Sequence, residues 1–194
     1  MAREPLNLPP AIFIGFCVKQ TKELVVRPDT AVAVWSVSEC IAHRPDEWVH
    51  RWDFNRAFCY NTERQALDTI PNGSRDQFEL FAYRIIPIQF SIGGKAREVK
   101  LGDVYLPGLI EVETEPALTG FEIAGYDIVN IEAGHLGFGC SPLSCNGCAA
   151  EHAVNSHCLI DELDRAAEIA RIFADSEPEP GPYYLVEILR KCRD

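Results

Sequence analysis

Four of the chain's eight cysteines and three of its five histidines fall in the run GHLGFGCSPLSCNGCAAEHAVNSHC, residues 134–158. Thiolate and imidazole are the usual ligands of zinc, and a thiolate beside an imidazole is a nucleophile beside its base. The same cysteines can also be small apolar fillers, tucked with a Gly/Ser/Pro/Asn-rich loop against a core. Metal binding, covalent catalysis and plain packing therefore compete for one window.

Zinc asks for four ligands in a tetrahedron, and a close pair is favoured because one tight turn aims both at the metal. Cys145-Asn146-Gly147-Cys148 supplies such a pair. Cys140, His157 and Cys158 complete the candidate set, of which four at most would ligate, with His135 and His152 as substitutes. No second C-x2-C or H-x3-H unit stands at finger spacing. Charge favours a metal, because no Lys or Arg lies between Lys100 and Arg165 to offset neighbouring thiolates.

The spacing Cys140-x4-Cys145-x2-Cys148 resembles the cluster loop of plant-type ferredoxins. That resemblance spans nine residues, and Cys158 follows within ten residues where that family places its fourth ligand far downstream. Zinc is thus the expected cofactor, and an iron–sulfur cluster is disfavoured. The Cys145–Cys148 pair also resembles a thioredoxin-type redox motif, although that family carries it after an early strand. In a covalent mechanism Cys145, or Cys140, would attack. His152 would serve as base, with His135 and His157 as alternatives, and Asp161 would orient it. The missing local cation counts against this reading.

The elements that must position the window follow from periodicity. Ala11–Lys19 is a continuous apolar run suited to a strand buried on both faces. Thr30–Ile41 reads as a further strand, whose trailing Ser36, Ser38, Glu39 and His43 look like the polar end of an element rather than a cleft. A helix is expected from Asp46 to Phe58, with Trp48 and Trp52 in the core. Thr62 and Gln65 make a capping box for a helix over Glu63–Ile70. Phe78–Ser91 reads as a long strand whose Pro87 belongs at an edge or a bulge. Gly93-Gly94 turns the chain so that Glu98–Leu101 pairs back. Leu109–Thr114 and Phe121–Ile131 are strands, the latter kinked at Gly125. Asp161 opens a helix over Glu162–Ala174, and Tyr183–Leu189 is the last strand. The expected fold is α+β: one domain over 1–194, a mixed or antiparallel sheet, about three flanking helices and the Cys/His-rich loop.

Composition bounds the function. At 194 residues and 47% hydrophobic the chain can build a core without disulfides. No run approaches the ~18 apolar residues needed to cross a bilayer, and the N-terminal segment lacks a cleavage pattern. A cytoplasmic protein without membrane contact is expected. The net charge of −11 equals the eleven acids lying between Lys100 and Arg165. Such a surface repels phosphate backbones and suits a basic protein partner. The expected function is a binding or regulatory protein whose rigid, zinc-pinned loop faces that partner. The alternative is a cysteine-dependent hydrolase or transferase acting on a small substrate.

Overall fold

Runs of β-branched and aromatic residues become the strands β1 (Ile12–Gln20), β2 (Lys22–Arg27), β3 (Thr30–Val34), β4 (Phe78–Ser91), β5 (Lys95–Glu98), β6 (Phe121–Asn130) and β7 (Tyr183–Lys191). Among the described residues three α-helices join them: α1 (Glu63–Leu67), α2 (Pro142–Cys145) and α3 (Leu163–Ser176). The computed structural model describes residues 8–20, 22–27, 30–38, 59–91, 93–99, 116–130, 138–176, 178 and 181–193. The helix expected over 46–58, the strand over 109–114, Glu39, His43 and His135 lie outside them.

The α+β class holds. A five-stranded antiparallel sheet runs β1-β4-β7-β6, with β5 pairing β4, and β2–β3 form a separate hairpin. β4 is paired on both sides, so Pro87 marks no edge. It sits in a bulge instead, where the register jumps from Ile86↔Leu185 to Gln89↔Tyr184, and its carbonyl accepts the Val99 N–H at 3.0 Å. Gly125 breaks the β6 register in the same way, at φ +142°.

The sheet's two faces are covered differently. On one face α3 buries Ala166, Ala167, Ile169, Ala170, Phe173 and Ala174 against Ile86, Phe90, Ile128 and Leu185. Farther along, α1 adds Ala66 to a cluster with Phe13, Phe16 and Leu189. Register sets Arg84, Glu187 and Tyr126 in one cross-strand row on this face. Arg84 pairs with Glu187 through two guanidinium nitrogens, and the Tyr126 hydroxyl donates to the same carboxylate at 3.0 Å. The opposite face packs Ile14, Phe81, Ile85, Val129 and Val186 under Trp35, Val37, Cys59, Phe138 and Leu159, which belong to connecting segments rather than to helices. No helix among the described residues is long and apolar enough to cross a membrane.

Candidate functional site

β6 is an outer strand, and an outer strand exposes unpaired N–H and C=O groups. The cysteine window closes that edge. Tyr126 and Ile160 exchange both backbone hydrogen bonds at 2.8 and 2.9 Å. At the other end Asn130 donates to the Cys140 carbonyl at 3.1 Å, and Gly139 donates to the Asn130 carbonyl at 3.0 Å. The approach is close: a Cβ on Gly139 would lie 1.9 Å from Asn130 Oδ1, so that side chain would have to turn away, and one on Gly125, at φ +142°, would lie 2.8 Å from Leu159 Cβ and 2.9 Å from the Ile160 carbonyl oxygen, which requires glycine there. Asn155 shapes the turn before Ile160. Its side chain accepts from the His157 and Leu159 N–H groups and donates to the Ala124 carbonyl and to Asp161.

Between these anchors the outward N–H of Ile128 is satisfied by Asp127, whose Oδ1 accepts it at 2.9 Å. That oxygen also accepts Ser141 Oγ–H at 2.6 Å, while Oδ2 accepts Ser36 Oγ–H at 2.8 Å and the Val37 N–H at 2.9 Å. Asp127 is fully buried. Burial raises its pKa, and the four hydrogen bonds oppose that rise. A carboxyl in such a place must keep its donors, because each one lost leaves buried polar groups unpaired.

Segment 35–38 is held from the other edge too. Lys19, on β1 and 1% exposed, sends its ammonium to the carbonyls of Ser36 at 3.0 Å, Val37 at 2.5 Å and Ser38 at 3.1 Å. A buried cation from one outer strand and a buried carboxyl from the opposite outer strand therefore brace the same short segment, the first at Ser36, Val37 and Ser38 and the second at Ser36 and Val37. The Lys19 ammonium takes the three carbonyls, and Asp127 takes one amide and one hydroxyl.

On this brace rests Cys145, the last residue of α2 and half-buried. Its sulfur contacts the Ser38 hydroxyl at 3.3 Å and, more loosely, the Ser144 hydroxyl at 3.9 Å. Cys158 is buried and donates its S–H to the Leu143 carbonyl at 3.7 Å. Its backbone stands at φ +65°, a left-handed conformation uncommon outside glycine. Burial first, then the charges of Asp127 and Cys145, push the Cys158 thiol up from 9.0 to about 12.

The other candidates point elsewhere. His152 packs edge-on against Phe173 at 5.4 Å, and burial, aided by Arg165, lowers its pKa. The His157 ring stacks on Trp35 at 3.2 Å, and the Arg190 guanidinium carbon lies 5.1 Å from the centre of a Trp35 ring. Asp161 accepts Asn155 Nδ2–H at 2.8 Å. Cys140 and Cys148 are half-buried, and Cys148 packs beside the α3 cluster. The expected Cys145, His152 and Asp161 are not joined by hydrogen bonds. Between Cys145 and Cys148 the chain bends at Asn146, and Gly147 is left-handed at φ +72°. Among the described residues no three His, Cys, Asp or Glu side chains are grouped to hold a metal.

Sequence reasoning passed over the residues that organise this region. Asp127 counted only toward net charge, Lys19 only as the end of a strand, and Ser36 and Ser38 as polar trim. One signal was legible: in FEIAGYDIVN an acid stands inside an apolar run, where an unpaired charge is prohibitive. Compared with protein-family models, curated proteins and solved structures, the chain matches none of them.

Proposed function

We propose that the chain is a cytosolic binding or regulatory protein that presents the rigid 138–164 segment to a basic protein partner. The observation that carries this reading is the double anchoring of the segment to β6, at Asn130–Cys140 and at Tyr126–Ile160, with Asp127 fastening Ser141 between them. A surface held this way loses little conformational entropy on association. Glu151, Asp161, Glu162 and Asp164 are exposed along it, and they supply the attraction that steers a basic partner. All seven described cysteines are free thiols, which suits a reducing compartment. The enzyme alternative has weaker support, because the polar contacts of Cys145 are hydroxyls rather than an imidazole.

The test titrates the full chain with a Lys/Arg-rich peptide and with an uncharged peptide of equal length, by fluorescence anisotropy at low and high salt. Salt-sensitive binding of the basic peptide is expected. It should be lost in the Glu151→Lys/Glu162→Lys/Asp164→Lys variant while that variant's melting temperature stays near the parent's. Equal binding by parent and variant would remove the surface from consideration. Elemental analysis of unchelated protein decides the zinc-pinned form of the proposal: about one zinc per chain retains it. A single hyper-reactive thiol among otherwise slow ones would favour the enzyme.

A further inference from the structure

The basic C-terminal end of β7 borders a cleft of about 590 Å³, whose other walls are α1, the 3-10 turn Arg75–Gln77 and the first residues of β4. That volume falls within the roughly 300–1,000 Å³ of small-molecule sites. Three cations and three acids line it: Arg75, Lys191 and Arg193 against Glu63, Asp76 and Glu79. Most of these charges already have partners. The Lys191 ammonium lies 3.2 Å from Glu63 and donates to the Thr119 carbonyl at 3.0 Å, while Glu79 takes Arg193 at 2.7 Å and Arg190 at 3.5 Å. Two charges do not: among the described residues neither the Arg75 guanidinium nor the Asp76 carboxylate takes part in a hydrogen bond or ion pair, and both are exposed. Beside them Leu80 is buried and Phe78 half-buried, which gives the cleft an apolar wall. A cleft with one free charge of each sign and an apolar wall complements a ligand that carries both signs on an apolar body.

We propose that this cleft binds a short peptide of apolar residues by its two charged termini. The Arg75 guanidinium offers a planar fork of donors that matches a terminal carboxylate in two parallel hydrogen bonds. Asp76 takes the terminal ammonium, and Phe78 and Leu80 receive the apolar side chains. The charges that are already paired set what is refused. Glu63 and Glu79 disfavour a phosphate or a second carboxylate, and Lys191 and Arg193 disfavour a second ammonium. A free amino acid carries both charges but too little apolar body to displace water from the whole cleft, so a peptide of two or three residues is the better occupant. The cleft shares no residue with segment 138–164, so this site stands whether or not a basic partner binds there.

Cys192 lines the cleft and is exposed, so its alkylation reports occupancy. The full chain is pulsed with an alkylating agent at increasing trileucine concentration and mapped by mass spectrometry, with calorimetry of the same mixture. Saturable protection of Cys192 is expected, with binding heat and with unchanged labelling of Cys145. Arg75→Ala should raise the half-protecting concentration about tenfold or more, as the loss of a charge-assisted hydrogen bond does. Its melting temperature should stay near the parent's, because Arg75 is exposed and makes no ion pair. Asp76→Asn should act in the same direction, and trileucine blocked at both termini should protect weakly. Equal protection by blocked and unblocked peptide would overturn the proposal, as would unchanged binding in Arg75→Ala. Tighter protection by free leucine or by inorganic phosphate would also overturn it, and so would neither heat nor protection at millimolar trileucine.

Discussion

The helix-covered face and the loop-covered side of this sheet are two solutions to one problem. Under α3 the contacts are apolar and non-directional: Phe173 and five other buried positions meet Ile86, Phe90 and Leu185, and a small misfit there can relax. Under segments 35–38 and 138–160 the apolar packing of Trp35, Val37, Phe138 and Leu159 is joined by directional hydrogen bonds centred on Asp127, Lys19 and Asn155. Such bonds add modestly when complete and cost much when one member is missing. The loop side therefore behaves as a unit that is either locked or lost, whereas the helix side degrades gradually.

The sharpest way to break this contrast is Asp127→Ala, which strands the Ser36 and Ser141 hydroxyls and the Val37 and Ile128 amides. A loss on the order of 3–5 kcal/mol is expected in urea melts, as when one partner is deleted from a buried charged network. Thiol labelling of Cys145 should rise with it. Lys19→Met should cost somewhat less, and the double variant should fall short of the sum by roughly 0.5–3 kcal/mol, since both residues brace the same segment. Strict additivity would mean that the two braces are independent.

Phe173→Ala tests the helix side. A cavity there should cost roughly 3 kcal/mol and remove the packing of His152 against the ring, so loop labelling should rise less than in Asp127→Ala. Equal labelling in the two variants would erase the distinction between the sides.

Alkali tests where the two regions meet, because Cys158 lies in the cysteine loop and is buried in the α3 cluster. Its folded pKa is raised from 9.0 to about 12, so the stability it contributes is complete below pH 9 and is lost as pH climbs through that window. Chemical melts across this range should show the decline, and Cys158→Ala should flatten it. Tyr126, raised from 10.0 to about 12 by burial and Glu187, adds a decline of the same sign that Tyr126→Phe isolates. The smallest effect is expected away from both regions: Thr62→Ala removes the capping box of α1 and should cost about 1 kcal/mol.

What the sequence determined by itself is local. The capping box at Thr62 and Gln65 formed as expected, with α1 ending at Leu67 rather than Ile70. The strand over Phe78–Ser91, the kink at Gly125 and the helix after Asp161 are equally legible, because each depends on the periodicity or backbone freedom of neighbouring residues. Pro87 shows the limit of that reading: an absent N–H argues for an edge or a bulge, and only the pairing of β4 with both β1 and β7 decided for the bulge. The cysteine window shows it more fully. Its soft ligands dominate the sequence, yet the tertiary structure centres the region on Asp127 and Lys19. These two residues act on Ser36 from 91 and 17 positions away in the chain. Hydrogen bonds between such distant residues leave no periodic trace, so residue types alone could nominate the thiols, and only the fold could show what holds them.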